Sequence, residues 1–162
     1  MLIHLPISVC GESRQSPKQK HSRRGAALVE MAFVLPVFIV LVLGMLDLGI
    51  AVFRSHILAH AAPEGSRRAI VHGSLSSETW GPTAFEGTAD GDGHPLIPLI
   101  RPSLVGLDLS QVTVRIEWPE GSNALQKPVR VTLTMPYHPA MTFIFGNPTF
   151  TLQGTSTMRI VH

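Results

Sequence analysis

One cysteine, one tyrosine and two tryptophans occur among 162 residues, and only 15% of the chain is charged. Each scarcity excludes something. A lone Cys10 cannot close an intrachain disulfide, so a folded part must hold by packing or by assembling with partners. A lipoprotein role for Cys10 is disfavoured, because Pro6-Ile7-Ser8-Val9 carries few apolar positions and no basic region precedes it; an unstructured cytoplasmic thiol is the plainer reading. Gly-x-Ser-x-Gly elbows and glycine-rich phosphate loops with a lysine are missing, and the pattern identifies no catalytic and no cofactor-binding residue. His56 and His60 stand four apart on one helix face. Their His-Ile-Leu-Ala-His frame lacks the glutamate of a zinc-protease helix, and no third ligand can be named, so no metal site is assigned. The net charge of +2 does not describe a nucleic-acid surface, since Arg14, Lys18, Lys20, Arg23 and Arg24 cluster early against Glu12 alone and no later basic run is interleaved with aromatics. No nucleic-acid partner is expected.

What the chain does have is a long apolar run. From Met31 to Leu46 no side chain is charged or hydrogen-bonding, and with Ala26 to Val29 ahead the helix reaches about 20 residues, enough to cross a bilayer. Membrane lipid is therefore the first expected partner. Five Lys/Arg before the span, against Arg54 close behind it, orient the N-terminus to the cytoplasm and the rest outside. Glu30 stands just inside the front edge, where a charge costs roughly 2.5 to 3.5 kcal/mol on insertion scales. Such a cost calls for a role, although snorkelling to the interface is an alternative. Pro36 removes one intrahelical hydrogen bond and predicts a kink; Gly44 offers a flat spot for a partner helix; Asp47 marks the far membrane edge.

The junction reads Arg24-Gly25-Ala26-Ala27-Leu28-Val29-Glu30 with Pro36, followed by Gly44, Asp47-Leu48-Gly49, Ala61-Ala62 and Glu64-Gly65-Ser66-Arg67. This resembles type IV prepilin signals and, within them, the TadE/TadG-like family of minor pilin-like proteins of Flp (tight adherence) pilus systems. The resemblance implies cleavage after Gly25 by a prepilin peptidase, with Ala26 as the new N-terminus. It further implies pairing of the Ala26 amine with Glu30 between neighbouring subunits. Implied partners are that peptidase, other pilin-like subunits and the Tad secretion machinery. Pro63 departs from the family pattern.

Beyond the span, Leu46, Ile50, Phe53, Ile57 and Ala61 recur at helical spacing, predicting the stripe on which an outer domain packs. Pro63 predicts a kink or break near Ala62, with a further turn ending at Gly73. Residues 74–108, rich in Pro and Gly, read as an irregular connection with a helical turn around Leu96 to Val105. Asp90-Gly91-Asp92-Gly93 invites a calcium reading, but counting from Asp90 puts Pro95 at the turn position and Arg101 at the last ligand position; a plain Asp-Gly turn fits better. Three stretches alternate at period two: Val112 to Trp118, Val129 to Met135 and Phe150 to Ile160. Met141-Thr142-Phe143-Ile144-Phe145 is apolar within a connection, either buried edge structure or an exposed contact surface.

The expected fold class is α+β, an N-terminal transmembrane helix extending into a small pilin-like domain with an antiparallel sheet of three or more strands. The expected organisation is a cytoplasmic leader over 1–25, a membrane helix over 26–50, an outer helix over 51–73, the connection over 74–108 and the sheet over 109–162. The function that follows is a TadE-like pseudopilin in the cytoplasmic (inner) membrane, with its C-terminal domain periplasmic or extracellular. The alternative is an uncleaved, signal-anchored binding domain that enters no pilus.

Overall fold

The computed structural model describes residues 22–140, 146 and 149–161, the side chains of 22–24 excepted. The readings for Cys10, for the leader ahead of Ser22 and for Met141 to Phe145 fall outside the described residues. Two units divide between Ile39 and Val40. In the first, the described residues are all helix. In the second, the helix is followed by a four-stranded sheet.

Helix α1 spans Ser22–Ala69, then come β1 (Phe85–Thr88), α2 (Leu96–Ile100) with a 3-10 turn over Arg101–Ser103, β2 (Thr113–Glu117), β3 (Pro128–Tyr137) and β4 (Phe150–Arg159). The strands lie in the order β1-β2-β3-β4, every neighbour antiparallel. The α+β class read from the residues therefore holds, with one strand more than the three whose alternation is visible. Val114 faces Leu133, and Leu133 faces Gly154, so the period-two apolar positions line up across the sheet. Val112, Val114, Ile116, Trp118, Val129, Val131, Leu133, Met135 and Tyr137 are buried on that face. At about 1.5 to 3 kcal/mol for each large aliphatic side chain fully withdrawn from water, this face is a major part of the packing of the domain.

Strand β1 was not visible in the pattern: Phe-Glu-Gly-Thr is too short to show a period, and it exists by pairing Phe85 to Thr88 with Ile116 to Thr113. The helical turn expected near Leu96 is α2, whose Leu96, Ile97 and Ile100 are fully buried.

The helix departs from expectation in two ways. It passes Pro63 without the predicted break and ends at Ala69. Pro63 deletes only the hydrogen bond to the carbonyl of Ala59, a residue exposed to water, while Ala61, Ala62, Gly65 and Ser66 around it are buried against the sheet. Tertiary packing outweighs the proline. The packed face matches the predicted stripe only at its outer end: Ile57 packs against the core and Ala61 is buried, whereas Leu46, Ile50 and Phe53 stay 45 to 60% exposed and Leu58, Ala62, Gly65, Ser66 and Ala69, off the stripe, are buried. Close approach explains the choice. A Cβ on Gly154 would overlap the carbonyl of Leu58 and lie 2.9 Å from the amide nitrogen of Ala59, so helix and strand backbones nearly touch there. The helix positions buried beside the seam are mostly small, with Leu58 the one large buried side chain on this face of the helix. Ser66 closes it, its hydroxyl within 3.2 Å of both the Ala62 and the Ser156 carbonyls.

Candidate functional site

In the first unit, residues Gly25 to Glu30 are helical and exposed. Gly25 would admit a Cβ with nothing inside 4 Å, so neither the space around it nor its backbone demands glycine for folding. Ala26 and Glu30 are one helical turn apart. Pro36 lies within α1 and is exposed.

In the second unit, Asp47 is drawn to the C-terminal end of β3. The Tyr137 hydroxyl donates to the Asp47 backbone carbonyl at 2.9 Å and stands 3.4 Å from its Oδ1, which also accepts the Ala140 N–H at 3.1 Å. The Arg54 guanidinium lies 5.5 Å above the Tyr137 ring. Burial raises the Tyr137 phenol above its ordinary value of 10.0, and the Asp47 carboxylate adds to the shift against an opposing pull from Arg54. The shift runs in the direction that favours the protonated hydroxyl, the form that donates in this clasp. Beside the clasp, Leu48, Ala51, Tyr137, Pro139, Phe150 and Leu152 line a groove of about 400 Å³.

Residues 25–67 match the TadE-like protein family. The match starts at the junction glycine and ends within α1, so it takes in Gly25, Ala26, Glu30, Pro36, Asp47 and Arg54 as one piece. It bears out the family read from the junction, and with the apolar helix it supports a pilin-like, Tad pilus-associated protein of the membrane. TadE-like proteins are structural components of pili. Neither curated proteins nor solved structures gave a significant match. Among the described residues one helix is long and apolar enough to cross a membrane, compatible with a single-pass anchor.

Other candidate sites resolve differently. The Asp90 to Asp92 loop holds a guanidinium: Arg101 donates through Nε to the Ala89 carbonyl at 2.9 Å and through Nη2 to the Asp90 and Gly91 carbonyls at 2.8 Å, with Asp92 Oδ1 at 2.7 Å. Of the two carboxylates that suggested a cation site, that of Asp92 is paired with the chain's own cation, and Asp90 contributes its backbone carbonyl. His56 and His60 are exposed on α1, and no group of three metal-capable side chains exists among the described residues. Asp47 and Tyr137 come together although 90 residues separate them; a carboxylate at the membrane edge and a lone tyrosine were the only signals in the sequence.

Proposed function

We propose that this chain is a TadE-like pseudopilin: a single-pass protein inserted with its N-terminus in the cytoplasm, cut after Gly25 by a prepilin peptidase, and assembled through its helix in a Flp-type pilus apparatus. The observation that carries this reading is the family match, which begins at Gly25 and runs through the apolar helix without interruption. Exposure of the junction supports it, since a peptidase needs access and Gly25 to Glu30 are exposed among the described residues. The new amine at Ala26, with an ordinary pKa near ~8, would be a cation one turn from Glu30. In a lipid setting, each charge lowers the cost of placing the other there, and between neighbouring subunits the same pairing fixes the stagger of one helix against the next. The domain itself would act as a structural unit with no turnover of its own.

The decisive measurement is the N-terminus of the mature protein, by intact mass and N-terminal sequencing from membranes of the native host. Gly25→Ala serves as control, because a Cβ at Gly25 meets nothing within 4 Å. A chain starting at Ala26, with the substitution blocking the cut, is the expected result. Retention of residues 1–25 in the native chain would overturn the pilin route in favour of an uncleaved, signal-anchored binding domain.

A further inference from the structure

We propose that the groove beside the Asp47 clasp is a lipid-binding surface, taking an acyl chain of the bilayer that α1 crosses and seating the sheet domain on the membrane. This inference rests on the membrane-anchor reading, though not on cleavage or pilus assembly. The helix fixes the height of the groove. Its uncharged run ends at Leu46, and Asp47, Leu48 and Ala51, which form the helical wall, occupy the next turn and a half. An apolar groove opening at that level meets the boundary between acyl chains and headgroups.

The chemistry of the walls agrees. Apart from Asp47, every lining residue is apolar or aromatic, and the Asp47 carboxylate is already engaged with the Ala140 N–H and the Tyr137 hydroxyl. An acyl chain would therefore not have to strip a carboxylate of its water unaided. Leu48 is 66% and Phe150 54% exposed, one on each side of the groove. Left in water, these side chains forfeit roughly 25 cal/mol for each Å² of apolar surface; in contact with hydrocarbon they do not. Tyr137 has the amphipathic form found at bilayer interfaces, and Arg54, stacked on its ring one to two turns beyond Asp47, is positioned to reach a lipid phosphate.

The test uses the full chain carrying Cys10→Ser, reconstituted in vesicles of phosphatidylethanolamine and phosphatidylglycerol. Nitroxide labels go one at a time on Phe150→Cys, on Leu48→Cys as a second groove position, on Val37→Cys within the span and on Thr155→Cys on the outer sheet face. Collision with oxygen reports lipid, and collision with a water-soluble nickel chelate reports water. The expected result is an oxygen-to-nickel ratio at positions 150 and 48 severalfold above that at 155 and approaching that at 37. Equal ratios at 150, 48 and 155, with 37 in lipid, overturn the groove proposal alone. A water-like ratio at 37 overturns the membrane reading with it. Protection of position 150 from both reagents, released when labelled chains are diluted with unlabelled ones, would give the groove to a second copy and overturn the lipid assignment.

Discussion

The hydroxyl of Tyr137 donates to the backbone carbonyl of Asp47 at 2.9 Å, so the end of β3 is tied to α1 where the helix leaves its apolar run. Tyr137→Phe removes that donor while keeping the ring under Arg54. We expect a loss of about 1 kcal/mol, measured by thermal or denaturant unfolding of the detergent-solubilised chain. Asp47→Ala should cost more than Asp47→Asn, because the asparagine oxygen can still accept the Ala140 N–H and alanine cannot. Equal effects of the two would show that the Ala140 bond contributes nothing.

Gly154→Ala should be among the most damaging small substitutions in the domain. Its methyl would meet backbone atoms of Leu58 and Ala59, which cannot rotate away as a side-chain end could. The expected cost is about 3 kcal/mol, towards the upper end of overpacking effects, and far-ultraviolet dichroism with urea unfolding would measure it. Gly25→Ala, where nothing lies within 4 Å, should leave domain stability unchanged in the same assay.

Arg101→Met keeps the stem and removes the four polar contacts to residues 89–92. With the guanidinium partly exposed, we expect a loss of about 2 kcal/mol, visible as faster amide exchange over β1 and the loop after it. Unchanged exchange there would show that the loop holds its shape without the arginine.

His94 sets a pH dependence. Its Nδ1 accepts the Leu96 N–H at 3.1 Å, which requires that nitrogen unprotonated, and burial lowers the imidazole from its ordinary value of 6.5. The unfolded chain therefore binds the proton first as pH falls. Stability attributable to His94 is fully present above about pH 6.5 and declines as pH drops towards the lowered folded value. Melting temperature should fall over that interval, and His94→Asn, whose amide oxygen can accept the same N–H without titrating, should flatten the slope.

Glu30→Gln should separate assembly from folding. Glu30 is exposed and belongs to the first of the two units, so unfolding of the sheet domain should be unaltered while crosslinking between subunits in native membranes falls severalfold. A drop in domain stability would contradict that division.

Much of the fold was legible because its strands are half buried. Val129 to Met135 alternates with polar residues, and the structure buries every second position of it. The junction was legible for a different reason: a charge inside an apolar run is costly enough to stand out. The face of α1 was legible only in part. Apolar size drew the prediction to Leu46, Ile50 and Phe53 as well as to Ile57 and Ala61, which do pack, whereas most of the remaining packed face is small, Ala62, Gly65 and Ala69, close to the strand that holds Gly154. Periodicity weighs hydrophobicity and is blind to how closely two backbones approach. Arg101 was missed for a related reason, since its partners are backbone carbonyls, which no side-chain pattern displays.

The Gly154 seam also has a mechanical consequence. A helix cushioned on long, flexible side chains can swivel against its sheet, but one whose backbone lies in near contact with a strand, with Ser66 bridging the two, has no play in that direction. Rotation of the helix segment about its own axis must then be delivered to the sheet without slip. Any neighbour that grips the exposed ridge of Leu46, Ile50 and Phe53 thereby sets the compass bearing of the polar outer face, where Arg115, Glu117 and Arg130 form their ion pairs.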